Sequence, residues 1–97
     1  MTELGKCSYK VPNGKLIRVK VEFENELIIK VQITGDFFIH PEESIDDLEL
    51  ALKETEYSRK NVSDIISRFF SQDDLVAFGI TPQALVDALM KCKETSS

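Results

Sequence analysis

The sequence predicts an α+β fold: a three-stranded antiparallel meander with about three helices packed on one face. Three observations carry this prediction. The first third of the chain alternates apolar and polar residues with the period of two that marks half-buried strands. From residue 44 onward, apolar residues recur at helical spacing. The short loops between the alternating runs have lengths that place the apolar sets on a common side of the sheet.

In the first run, Cys7, Tyr9 and Val11 alternate with Lys6, Ser8 and Lys10. In the second, Ile17, Val19, Val21 and Phe23 alternate with Arg18, Lys20, Glu22 and Glu24. In the third, Leu27, Ile29, Val31 and Ile33 alternate with Ile28, Lys30, Gln32 and Thr34. The first loop, Pro12, Asn13 and Gly14, suits a type I turn with Pro12 presetting φ and Gly14 in the left-handed position of a G1 bulge. Val11 is then expected opposite Lys15, Tyr9 opposite Ile17 and Cys7 opposite Val19. For Phe23 and Leu27 to share a face, the loop Glu24, Asn25 and Glu26 must also be odd. That register pairs Phe23 with Leu27, Val21 with Ile29, Val19 with Val31 and Ile17 with Ile33. It places Lys15 opposite Gly35 and Gly14 opposite Asp36, and requires positive φ at Glu26, where glycine is usual.

The second half reads as helix. Over residues 44–55, Ser44 is the expected N-cap, with Asp47 three residues on as an approximate capping box and acids in the first turn. Ile45, Leu48, Ala51 and Leu52 form its inward stripe. Residues 61–70 carry Val62, Ile65, Ile66 and Phe69 at helical spacing. Over residues 81–93, Thr81 caps, Pro82 takes the first helical position and lysines fill the last turn. Leu85, Val86, Leu89 and Cys92 form the buried stripe. Residues 71–80 are a connector expected to pack Leu75, Phe78 and Ile80. Residues 93–97 read as a fraying tail of a single domain spanning 1–97.

Composition narrows the function classes. The chain has 97 residues, a formal charge of −5, 42% apolar and 30% charged residues. This describes one soluble domain with one modest core. Basic residues concentrate in the N-terminal third, and a solvated sheet face explains them without nucleic acid. The N-terminal MTELGKCSYK has no apolar core of a signal peptide, and no apolar run approaches a membrane span, so the expected location is the cytoplasm. Two cysteines, Cys7 and Cys92, and one histidine, His40, do not make a zinc set, and the thiols are expected to be buried and reduced. There is no phosphate-loop, GxSxG or HExxH motif, so no catalytic residue is assigned. Asp46/Asp47 and Asp73/Asp74 read as helix-start and loop charge.

One end of the sheet is the candidate functional edge. It gathers Asn13, Gly14 and Lys15 from the first turn with Gly35, Asp36, Phe37, Phe38 and His40 from the third strand's exit. Lys15 and Asp36 make at least a surface ion pair; alternatively Lys15 faces an anionic group of a partner, with the glycines admitting a close backbone. Phe37 and Phe38 cannot both face inward in an extended chain. One seals the corner between sheet and helices, and the other is free for an interface.

The stretch YKVPNGKLIRVKVEFENELIIKVQITGDFFIHPEESIDDLELAL, residues 9–52, resembles the accessory domain of lipoate–protein ligases, in which a strand ends in a GDFF-type motif followed by a Leu- and Glu-rich helix. FGITPQALVDAL, residues 78–89, is similar to that family's closing helix. The family's hairpin turn often carries glycine where this chain has Glu26. The resemblance covers nearly the whole chain. It implies a SufE/NifU-like fold and a role as the separate, non-catalytic small subunit of a bipartite ligase, since the chain opens at Met1 without a catalytic half. A large catalytic subunit would then hold ATP, magnesium and lipoate, and the heterodimer would make lipoyl-AMP before transfer to a lysine of an acyl-carrier domain. This chain itself would bind no cofactor, metal, nucleic acid or membrane. The other readings are a small sulfur or iron–sulfur scaffold, which would need cysteines at loop tips, and a non-catalytic adaptor that binds another protein through the phenylalanine edge.

Overall fold

The alternating runs become strands, and their apolar residues line the inner side of one sheet. In the computed structural model, which describes residues 2–12 and 14–94, β1 (Glu3–Lys10), β2 (Leu16–Glu24) and β3 (Leu27–Gly35) form an antiparallel sheet in the order β1-β2-β3. The first hairpin closes in the expected register. Tyr9 lies opposite Ile17 and Cys7 opposite Val19. The Gly14 N–H donates to the Val11 carbonyl at 2.8 Å, and the Val11 N–H donates to Lys15 at 3.1 Å. β1 begins at Glu3, three residues before the alternation is readable, because Gly5 interrupts it.

The second hairpin departs from expectation. Its loop is even: Glu24 pairs with Leu27 across Asn25 and Glu26 alone. Both turn residues have positive φ, 50° and 72°, as a two-residue turn of the primed kind requires. An even loop alone would turn Leu27, Ile29, Val31 and Ile33 outward. A bulge corrects this. Phe23 pairs with Ile28 but Glu22 pairs with Lys30, leaving Ile29 as an extra residue. Beyond it, Val21 faces Val31, Val19 faces Ile33 and Ile17 faces Gly35. The register is therefore two residues away from the predicted one, which preserves the inward faces of Val31 and Ile33. On the near side of the bulge Ile28 is buried and Leu27 exposed, the reverse of the expectation.

Three helices cover the inner face: α1 (Ser44–Leu52), α2 (Arg59–Phe70) and α3 (Pro82–Glu94). α3 packs on β1 and β2, α1 on β3, and α2 against both other helices. Thr81 caps α3, its Oγ1 accepting from the Ala84 N–H at 3.1 Å. Leu85, Val86, Leu89 and Cys92 are buried as expected, joined by Ala84 and Ala88. α3 runs through Lys93 and Glu94, which the sequence assigned to a fraying tail; residues 95–97 lie outside the described residues.

Ser44 is not a cap. Glu43 precedes α1 without a side-chain capping bond, and Ser44 is buried within the helix, its N–H donating to the Pro41 carbonyl. α1 also ends three residues early. The segment beyond it turns its backbone to the edge of β3: Glu54 donates to the Ile28 carbonyl at 2.7 Å, and the Ile28 N–H donates to Thr55 at 2.9 Å. These bonds replace the next helical ones. Ala51, expected on the inward stripe, is exposed, while Leu48 and Leu52 are buried. α2 starts two residues before the predicted Asn61, because Ser58 accepts the Asn61 N–H at 3.2 Å.

Tyr57, between α1 and α2, is fully buried. Its ring meets Phe23 edge-on at 5.1 Å, and its hydroxyl donates to the Leu89 carbonyl. Burial raises its pKa, so it remains a neutral donor. Tyr57 thus links β2 to α3 through both its apolar ring and its polar tip.

The bulge makes a measurable distinction between neighbours. Ile28→Ala is expected to cost about 2–5 kcal/mol and Leu27→Ala under about 1 kcal/mol, by urea unfolding. Equal costs, or the reverse order, would restore the odd loop.

Candidate functional site

Gly35 ends the sheet by permitting close approach. It lies opposite Ile17, and a Cβ there would collide with the Leu16 carbonyl oxygen. That oxygen accepts the Asp36 N–H at 3.0 Å. The chain then leaves the sheet and forms β4 (Phe38–His40), which pairs with β5 (Val76–Phe78) in a separate two-stranded ribbon. Phe38 lies opposite Phe78, Ile39 opposite Ala77 and His40 opposite Val76.

The ribbon obeys the strand period. Ile39 is buried and Ala77 packs against the core. On the other side Phe38 is 50% exposed, Phe78 64% and Val76 44%. His40 stacks on Phe38 at 6.4 Å, nearly parallel, and Phe38 meets Phe78 at 6.4 Å. Among the described residues, the other large exposed apolar residues, Leu27 and Leu50, lie on other elements. A contiguous aromatic face of this kind is where protein interfaces form.

The ribbon is also tied to the first turn. The Lys15 N–H donates to the Gly79 carbonyl at 3.0 Å. Gly79 has φ of 79°, and a Cβ there would overlap the Lys15 side chain. A Cβ on Gly14 would fall 3.0 Å from the same Gly79 oxygen. Glycine at 14 and 79 therefore lets the two backbones meet.

Most predicted site residues come together here. Gly14 and Lys15 lie against residue 79, while Gly35 and Asp36 lie against residues 16 and 17, two positions along from the predicted partners. Phe37 packs on the core and Phe38 faces solvent, so the two rings point to different sides as expected. Lys15, Asp36 and His40 are exposed. Among the described residues Lys15 and Asp36 make no ion pair. Asn13 lies outside the described residues. Sequence reasoning missed Val76, Phe78 and Gly79 as site residues. Phe78 was expected in the core, but pairing with β4 turns it outward and leaves Ile80 to fill the core.

Elsewhere, an open depression of about 550 Å³ on the outer sheet face is lined by Lys6, Arg18 and Lys20 with Ser8, Gln32 and Thr34. Among the described residues, no group of three or more His, Cys, Asp and Glu side chains is placed to hold a metal ion, and no helix is long and apolar enough to cross a membrane.

Residues 7–89 match the family described as the bacterial lipoate protein ligase C-terminus. The chain is 35% identical over 82 residues to the "Lipoate-protein ligase A subunit 2" of Thermoplasma acidophilum, covering 84% of this chain and 83% of that protein. A chain from a solved archaeal lipoylation system, described as a bi-partite lipoate protein ligase and its E2 lipoyl domain from Thermoplasma acidophilum, superposes with a TM-score of 0.80 at 32% identity. The superposition covers 92% of this chain and 97% of that one.

The site separates a rigid anchor from an exposed face. Gly79→Ala is expected to destabilise the fold by about 1–3 kcal/mol through its positive φ and the Lys15 contact. Phe78→Ser should change stability by no more than about 0.5 kcal/mol. Chemical denaturation of both variants tests the assignment, and a Phe78→Ser loss as large as that of Gly79→Ala would place Phe78 in the core.

Proposed function

The chain belongs to the lipoate protein ligase C-terminal family, and from that membership we propose that it is the non-catalytic small subunit of a bipartite lipoate–protein ligase. The observation that carries this reading is the match along 83% of a protein itself called subunit 2 of such a ligase. In this role the chain acts in the cytoplasm with protein partners, not with nucleic acid or a membrane. ATP, magnesium and lipoate belong to the large catalytic subunit. The pair activates lipoate as lipoyl-AMP for transfer to an acyl-carrier domain.

The ribbon supplies the docking face. Phe38, Phe78 and Val76 offer apolar area that water leaves on contact, and His40 extends the stack. Lys15 stands where the ribbon's anchor meets the first turn. A cation at that position is suited to the charge that develops on phosphoryl oxygens during adenylation, where catalysis rests on positioning and electrostatics. The small subunit therefore contributes by ordering and closing the partner's site. A sulfur-carrying scaffold fits less well: both thiols lie at the packing of α3 on β1 and β2, not at a loop tip.

Mixing the chain with the large subunit of a bipartite ligase, ATP, lipoate and an acceptor domain tests the reading. The expected results are no ligation by this chain alone, restored lipoyl-AMP formation by the mixture, and an interface burying at least about 1,000 Å². Ligation by the lone chain, or no effect on the large subunit, would overturn it. Phe38→Ser combined with Phe78→Ser should weaken pairing at least about tenfold by calorimetry. Lys15→Met should lower the adenylation rate about tenfold or more with pairing intact; unchanged kinetics would remove Lys15 from the site.

A further inference from the structure

Cys7 and Cys92 are 85 positions apart in sequence, yet their sulfurs lie 2.7 Å apart. The fold enforces this approach. Gly5 precedes Cys7 by two residues on the same face of β1, and a Cβ there would overlap the Cys92 carbonyl oxygen. The last turns of α3 therefore rest directly on the backbone of β1. Each sulfur is also oriented: Cys7 Sγ donates to the Ala88 carbonyl at 3.0 Å, and Cys92 Sγ to the Val19 carbonyl at 3.5 Å. Neither sulfur is in a disulfide. The two sulfurs are in direct contact, within reach of a disulfide.

We infer that Cys7 and Cys92 are a redox modification site, which a peroxide closes to a disulfide tying the edge strand β1 to the end of α3. The two sulfurs have different roles. Cys7 is half-buried at the sheet edge and Cys92 fully buried, so a molecule as small as peroxide meets Cys7 first. Burial raises the pKa of Cys92 and keeps it protonated until it reacts.

In the first step the peroxide O–O bond breaks. The Cys7 sulfur takes one hydroxyl to become a sulfenic acid, and its proton leaves with the other oxygen as water. In the second step the Cys92 sulfur attacks the Cys7 sulfur. The S–S bond forms, the S–O bond breaks, and the hydroxyl leaves with the Cys92 proton as a second water. The two thiols together lose two electrons, and one peroxide is reduced to two waters.

The cross-link closes a loop over most of the chain and so restricts the unfolded state strongly. The test uses the full chain, fully reduced and then treated with a small molar excess of hydrogen peroxide. Expected are loss of two hydrogens by intact mass, no maleimide-reactive thiol after non-reducing denaturation, and a Tm rise of at least about 5 °C that a dithiol reductant reverses. Cys7→Ser and, separately, Cys92→Ser should each abolish all three changes. Two titratable thiols after treatment, oxygen added to Cys7 without an S–S bond, or only intermolecular dimers would overturn the inference. These measurements need no partner subunit, so their outcome is independent of the ligase reading.

Discussion

The Asp36 N–H reaches the Leu16 carbonyl at 3.0 Å because Gly35, opposite Ile17, has no side chain to hold the strands apart. The path of the chain beyond the sheet follows from this contact. With its N–H satisfied by β2, Asp36 marks the end of strand pairing, and the backbone swings away to form β4. Phe37 turns in against the core as it does so. The next residues then meet β5, and the Phe38–Phe78 pair is the result. A register two residues different would put Gly35 opposite Lys15 and leave a side chain at the point of closest approach. The bulge at Ile29 thus matters at the far end of the strand as well as in the turn where it arises.

Much of this was legible in the sequence, and the failures share a physical cause. Alternation reports which face a residue occupies, with period two. It does not distinguish registers two residues apart, and it cannot separate an odd loop from an even turn followed by a bulge. Ile17, Val19, Val21, Val31 and Ile33 were therefore placed on the correct face while their β2–β3 partners were misassigned. The Asn25–Glu26 pair announced the turn only in part: positive φ at Glu26 was expected and is found, but glycine usually fills that position, and the pair did not show that the loop is even. Helix ends failed for another reason: tertiary bonds outcompeted local ones. α1 stops where Glu54 and Thr55 find β3.

The candidate site was half legible. The turn at 14–15 and the strand exit at 35–38 could be brought together by register alone, since both belong to the meander. Their third neighbour, residues 76–79, could not. A three-residue strand carries too little alternation to be read, and Phe78 had the same apolar character as residues that do enter the core. Its exposure follows from pairing across the ribbon, which depends on where Gly35 released the chain. Gly79 was likewise readable only as a loop residue until Lys15 was found against it.

The fold treats the β3 edge of the sheet and the separate β4–β5 ribbon differently. The β3 edge is closed: Glu49 accepts the Ile33 N–H at 2.7 Å, and residues 54–57 bond to Glu26 and Ile28. Such covering removes the template that an open strand offers to other chains. The ribbon follows the opposite logic. It is short, held by Ile39, Ala77 and the Lys15–Gly79 contact, and turns its aromatic side to solvent. Elements with few buried contacts open at low free-energy cost, while the helices seated on β1 and β2 open only with the whole fold. A subunit that must adjust to a partner needs this division: a core whose register does not slip, and beside it a small aromatic element that can settle against another surface without disturbing that core.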